Sequence, residues 1–146
     1  MKKTKNKNFI LVTNNPPADY IISIGEWEQA KEYFSKHNSR LVNETLNQNH
    51  WDGSNAVTFY DPKNLYRSKN DTPQIFVYFK LDRNNLPSYQ VFASRVAHES
   101  VHMGCAISEM FGAYFNLEVQ EPLAYLVQFL VYNILHNYNQ MLKGTK

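Results

Sequence analysis

The pattern that most constrains this sequence is a pair of histidines four residues apart, His98 and His102, inside a long stretch of helical periodicity. A helix over 88–111 is predicted, with Pro87 near its start and Gly112 at its end, and with apolar residues at helical spacing. These apolar residues are Phe92, Val96, Met103, Ile107 and Met110. Side chains four residues apart lie on one face of a helix, with β-carbons about 5–6 Å apart. Both imidazoles can therefore bind one metal ion, with zinc–nitrogen bonds of about 2.0–2.1 Å.

The residue after the first histidine is Glu99, whose carboxylate can hold a water molecule at the metal and accept its proton. The pattern thus supplies two ligands and a general base, and zinc needs a third protein ligand. Glu109 shares the histidine face, but it lies about 10 Å along the helix axis from His102, which is too far to share the ion. Cys105 is closer, but a small cysteine on a helix is more often a core residue than a ligand.

Two glutamates that follow this helix are the remaining candidates for the third ligand. Glu121 is the first choice, because the positive end of the next predicted helix favours its ionised form, and Glu118 is the alternative. Tyr125 lies one turn after Glu121 and could donate a hydrogen bond to a ligand or to a developing oxyanion. A core aromatic is an equally good interpretation of Tyr125. The other histidines have no partner at metal-binding spacing: His37, His50 and His136.

The rest of the sequence predicts a small α+β domain over residues 9–146. Strands are predicted at Phe9–Thr13, Ile21–Ile24, Ala56–Tyr60 and Gln74–Leu81, and further helices at Glu26–His37 and Gln120–Leu142. In the last helix the apolar residues cover most of the circumference, which predicts burial on more than one side. The strand at 74–81 alternates clearly, and would suit either an edge strand that pairs with an extended peptide or an ordinary core strand.

Composition limits the partners and the compartment. The formal net charge of +2 argues against a nucleic-acid-binding protein, although residues 1–8 form a basic tail that is expected to be flexible. A single cysteine excludes an internal disulfide and fits a reducing compartment. The apolar run at 9–12 is shorter than the roughly 7–15 residues of a signal-peptide core, and no stretch approaches the ~20 apolar residues of a membrane span. We therefore expect a cytoplasmic protein without a membrane partner.

These motifs resemble the zincin superfamily, in its gluzincin branch with two histidines and a later glutamate. The segments Val96–His102 and Glu121–Leu126, with Gly112 between them, are also similar to small zincin-like proteins encoded by phages and prophages. The resemblance implies one zinc ion bound by His98, His102 and Glu121, with Glu99 as the catalytic base. It also implies a peptide or protein substrate and a location in a bacterial host cell or on a virion. Well-characterised gluzincins carry an aspartate where this chain has Tyr125.

Two hypotheses follow from the sequence. The first is a zinc-dependent hydrolase of peptide or related amide bonds. The second is a phage-associated structural or interaction protein, with a phage or host protein as partner, that retains the zinc helix without catalysis. Structural zinc sites usually have four protein ligands, whereas catalytic sites leave one position for water, so the number of ligands distinguishes the two.

Overall fold

The computed structural model describes residues 7–15, 18–41, 45–46, 53–61, 63, 66–111 and 120–144. Along this part of the chain the elements are two strands, two helices, two further strands and two long helices. In chain order they are β1 (Phe9–Asn15), β2 (Ala18–Gly25), α1 (Trp27–His37), the short α2 (Ser39–Leu41), β3 (Ala56–Phe59), β4 (Gln74–Lys80), α3 (Tyr89–Phe111) and α4 (Gln120–Lys143). The α+β prediction is confirmed, and each predicted helix and strand is present with small changes at its ends.

The four strands form one mixed sheet in the order β1-β2-β4-β3. β1 and β2 are antiparallel, β2 and β4 are parallel, and β4 and β3 are antiparallel. The edge-strand interpretation of Gln74–Leu81 is therefore wrong, because β4 lies between two other strands. Every residue from Gln74 to Phe79 is buried, as expected for a strand covered on both faces. The edge strand on this side of the sheet is β3.

Helices cover both faces of the sheet. On one face, alternate residues of the two central strands, such as Ile22 and Val77, pack with α3 and α4 into one core cluster. On the other face Phe76 and Tyr78 pack with Trp27 and Phe34 of α1 into a second cluster. Both faces of β4 are thus hydrophobic, which explains its almost continuous apolar sequence.

The two long helices pack against each other as an antiparallel pair. Near one end the tip of Leu123 faces Gly104, with Val127 beside it, and near the other end Phe92 stacks on Tyr138 with ring centroids 3.9 Å apart. On α4 only one face is buried, by Leu130, Ile134, Tyr138 and Met141. The expectation that α4 is buried on more than one side is therefore wrong for this chain, since Tyr132 is 66% exposed. Among the described residues no helix is long and apolar enough to cross a membrane.

The end of the predicted basic tail is more ordered than its composition indicates. The side chain of Asn8 donates hydrogen bonds to Ser23 Oγ (3.0 Å) and to the Glu26 carbonyl (2.7 Å), and it accepts one from the Glu26 N–H (2.7 Å). Asn8 thereby supplies side-chain hydrogen bonds at the start of α1, where the N-cap residue Glu26 makes no side-chain cap hydrogen bond of its own. Residues 1–6 of the predicted tail lie outside the described residues.

Candidate functional site

The two histidines of the motif lie on one exposed face of α3, as their spacing predicts. Their Nε2 atoms are 3.0 Å apart, and their ring centroids are 4.7 Å apart. Two zinc-bound nitrogens in a tetrahedral site are separated by roughly 3.3 Å, given bond lengths of about 2.0–2.1 Å. His98 and His102 therefore converge at nearly the separation that a shared metal ion requires. In the absence of metal, the same contact is satisfied when one ring donates N–H to the other.

The carboxylate between the histidines faces the protein interior. Glu99 is only 5% exposed, and its Oε2 accepts a hydrogen bond of 2.5 Å from Thr58 Oγ1. Thr58 belongs to β3, so the edge of the sheet lies directly beside the helix at this point. A buried carboxylate that is held by a hydrogen bond has a fixed orientation, which is what a general base or a positioning group needs.

A second polar contact joins the end of β3 to α3. The hydroxyl of Tyr60 donates to Glu109 Oε2 at 2.8 Å. Burial is the first cause that raises the pKa of Tyr60 to about 12, followed by the hydrogen bond and the negative charge of Glu109 and by the nearby Cys105. Tyr60 is therefore a protonated donor at neutral pH. Its position next to Cys105 and Glu109 places it beside the same helix face as the two histidines.

The polar face of α3 thus forms a stripe at spacings of four, three and four residues: His98, His102, Cys105 and Glu109. The edge of β3 runs along one side of this stripe, with Thr58 and Tyr60 two residues apart and both directed at α3. Sequence reasoning did not identify either residue. The only available signal was the weak alternation of Ala56–Tyr60, which places Thr58 and Tyr60 on one side of a strand.

The structure does not bring Glu121 to the histidines. Among the residues that the structure describes, no group of three or more His, Cys, Asp or Glu side chains could hold a metal ion. The reason is the position of α4, which packs against Gly104 through Leu123. Gly104 is roughly 120–160° around α3 from the two histidines, at 100° per residue. Glu121 is exposed in the first turn of α4.

The remaining predicted site residues are also accounted for. Tyr125 is 67% exposed on α4, so it is not the core aromatic of the alternative interpretation. Glu118 and His50 lie outside the described residues. His37 contacts the ring of Tyr33 on α1 in a tilted arrangement, with ring centroids 4.8 Å apart, and His136 stacks against Tyr132 on α4. The described residues therefore include two suitable zinc ligands, His98 and His102, and the candidate general base Glu99. They do not supply the third ligand.

Comparisons with known proteins leave the chain without an assigned family. No protein-family model, no curated protein and no solved structure matches it.

Proposed function

We propose that this protein is a zinc-dependent hydrolase of peptide or related amide bonds, with His98 and His102 as ligands and Glu99 as the general base. The observation that carries this proposal is the convergence of the two imidazoles, whose Nε2 atoms are 3.0 Å apart, on a helix where the neighbouring residue Glu99 is buried and held by Thr58. A surface pair of histidines with an exposed glutamate would not have this arrangement.

When bound, zinc supplies Lewis-acid chemistry, which polarises a carbonyl group and eases the deprotonation of water. Glu99 would accept the proton of the attacking water and later deliver it to the leaving amine. Its hydrogen bond to Thr58 holds the carboxylate in one rotamer, so that its second oxygen can face the water.

The position of β3 supports an extended peptide as the substrate. β3 pairs with β4 on one side only, so it is an edge of the sheet within the described part of the chain. The free edge of a strand can pair with an extended peptide through backbone hydrogen bonds. Because Thr58 of this strand contacts Glu99, a peptide paired along β3 would lie close to the histidine face of α3.

The third ligand stays a prediction from the sequence, with Glu121 first and Glu118 second. Binding through Glu121 would require the first turn of α4 to approach the histidine face. Metal content distinguishes the candidates: Glu121→Gln or Glu118→Gln should lower the zinc content, as His98→Ala does, if the replaced residue is the ligand. The predicted role of Tyr125 in stabilising an oxyanion likewise depends on such an approach.

The test is zinc content and hydrolysis of a peptide mixture, measured on the full chain purified without chelator and supplied with zinc. Glu99→Gln should retain zinc while turnover falls by about 10²–10⁴-fold, because the general base is lost. Glu28→Gln is the matched control, since Glu28 is exposed on α1 at the opposite face of the sheet. Wild-type protein that binds no zinc would refute the proposal, as would full turnover of Glu99→Gln.

A second candidate function is a structural or interaction protein without catalysis. It is favoured by the fact that Glu99 already has a structural partner in Thr58. In this case zinc would be retained by four protein ligands, and no peptide would be cleaved.

A further inference from the structure

The outer face of α4 has an unusual composition for a helix surface. Between the charged residues Glu121 and Lys143 the helix contains no Asp, Glu, Lys or Arg. Its exposed positions instead carry tyrosine, glutamine and histidine, with proline and alanine near its start, and Tyr125 and Tyr132 are 67% and 66% exposed. Charged residues are depleted and tyrosine is enriched at the centres of protein interfaces, so this composition is typical of a contact surface.

A long groove runs beside this face. It has a volume of about 890 Å³ and is lined along α4 from Gln120 to Asn139, with Tyr89 of α3 as a further lining residue. Its wall is apolar, with Val127, Val131 and Leu135 at helical spacing, and none of its lining residues carries a formal charge apart from the titratable His136. The stretch from Gln120 to Asn139 is roughly 28 Å long, so the groove can hold most of a helix such as α4, which has 24 residues.

The geometry points to a second copy of this chain as the occupant. We propose that α4 of the second copy lies antiparallel in the groove, with the twofold axis at Tyr132. Tyr132 is eleven residues after Glu121 and eleven residues before Lys143. Eleven residues are about three helical turns, so all three side chains fall on one line along the helix.

When two copies of α4 pair antiparallel about Tyr132, the row of side chains Glu121, Tyr132 and Lys143 on one copy meets complementary side chains on the other. Glu121 of each copy lies opposite Lys143 of the other, so the only charged residues of this face form two opposite-charge pairs. Gln128 lies opposite His136, which gives a pair of hydrogen-bonding side chains on each side of the axis. Tyr132 meets its own copy, next to the ring of His136 with which it stacks at 14°.

Parallel pairing lacks this complementarity. It would place Glu121 against Glu121 and Lys143 against Lys143, and it would align the two helix dipoles unfavourably. A twofold axis with antiparallel helices also gives a closed dimer, the commonest symmetric assembly. The interface leaves His98 and His102 open, because they lie on the other side of α3 from α4.

The test is the molecular mass of the full chain in solution, measured by sedimentation equilibrium over a range of concentrations. A reversible dimer of two 17.1 kDa chains is expected. Tyr132→Glu should weaken the dimer by at least about a hundredfold, because it places two like charges at the axis. Val12→Glu is the matched control: Val12 is 50% exposed on β1, and strand alternation directs its side chain to the face of the sheet opposite Leu11, which packs with the α3 and α4 cluster, so its replacement should leave the dimer unchanged.

A charge exchange tests the orientation. Lys143→Glu should weaken the dimer by about tenfold, because Glu121 of each copy would then face a negative charge on the other copy. Adding Glu121→Lys should restore the dimer. Circular dichroism of each variant confirms that the fold is retained. A wild-type monomer, a larger oligomer, a dimer insensitive to Tyr132→Glu, or no rescue by the double exchange would each overturn the proposal. Tyr132 and Lys143 are not part of the metal site, so the zinc content of these two single variants reports on the proposed function separately. The two roles of Glu121 exclude each other, so a dimer rescued by the double exchange would leave Glu118 as the candidate third zinc ligand.

Discussion

Thr58 on the edge strand donates its hydroxyl to the buried carboxylate of Glu99 on α3, across 41 residues of sequence. We expect Thr58→Val to lower the free energy of unfolding by about 1–3 kcal/mol, because a buried charged acceptor loses its partner. Thr58→Ser keeps the hydroxyl and should lie much closer to the wild type. Urea unfolding of the three proteins checks this prediction. Equal stability of the valine and serine variants would mean that the hydrogen bond contributes little.

A second long-range contact fixes the start of α1. We expect Asn8→Ala to lower the free energy of unfolding by about 0.5–1.5 kcal/mol, because its side-chain hydrogen bonds to Ser23 and to the exposed backbone of Glu26 are lost. Thermal or urea unfolding measures the change. Asn84→Ala, in an exposed turn, is the control and should change stability little. If the two alanine variants are equally stable, Asn8 is only a solvated residue.

The contact between the two long helices depends on the absence of a side chain at Gly104. A Cβ there would lie 2.5 Å from Leu123 Cδ1. Because that atom is the end of a flexible side chain, Gly104→Ala should be nearly neutral, helped by the higher helix propensity of alanine. Gly104→Val adds branches that also meet Val127, and should cost about 1–3 kcal/mol of stability.

A double-mutant cycle tests whether this cost comes from the helix contact. Leu123→Ala makes room, so it should destabilise the Gly104→Val protein less than it destabilises the wild type. Gly53→Ala is the control for a glycine replacement, because a Cβ at Gly53 meets nothing within 4 Å. Additive effects of the two substitutions would show that α3 and α4 are not in close contact at this point.

Local patterns in the sequence predicted the helices and strands, but not how they are arranged. The helical period of α3 placed His98 and His102 on one face, because that relationship depends only on the residues of one helix. The alternation of β4 predicted a strand but not its central position. That position results from its parallel pairing with β2, whose partner residues are more than fifty positions away, as in Tyr20 with Ile75.

The parts of the site that the sequence missed all come from contacts between elements. Thr58 lies in the short strand β3, and Tyr60 directly follows it. Both residues reach carboxylates of α3 only because this edge of the sheet packs against α3. The expected approach of Glu121 to the histidines assumed that the chain after α3 returns to the histidine face. The small residue Gly104 instead allows α4 to pack on another side of α3, and no periodicity in either helix alone reveals this.

His37 should make the fold sensitive to mild acid. Burial lowers its pKa below the usual value of 6.5, and the charge of Asp19 partly opposes this shift. The unfolded chain therefore takes up the proton first, so this contribution to stability is full above pH 6.5 and is lost as the pH falls below it. The loss of stability between about pH 7.5 and about pH 5.5 should be smaller in His37→Gln than in the wild type. Asp19→Asn should enlarge the loss, and an unchanged or smaller loss in that variant would contradict this explanation.

Tyr60 should have the opposite effect at alkaline pH. Its pKa of about 12 exceeds the usual value of 10.0, so the folded state keeps the proton after the unfolded chain has released it. The contribution of Tyr60 to stability is therefore present below pH 10 and is lost as the pH rises towards 12. The difference between the tyrosinate absorbance titrations of the wild type and Tyr60→Phe isolates this group.

The two main causes of the shift can be separated with one substitution at its partner. Glu109→Gln removes the negative charge beside the phenol, so the pKa of Tyr60 should fall. It should remain above 10.0, because burial is the larger cause and is unchanged. Glu32→Gln on α1 is the control, since Glu32 pairs with Lys36 and should leave the titration of Tyr60 unaffected. If Glu109→Gln leaves the Tyr60 pKa at about 12, the hydrogen bond between Tyr60 and Glu109 does not form in solution.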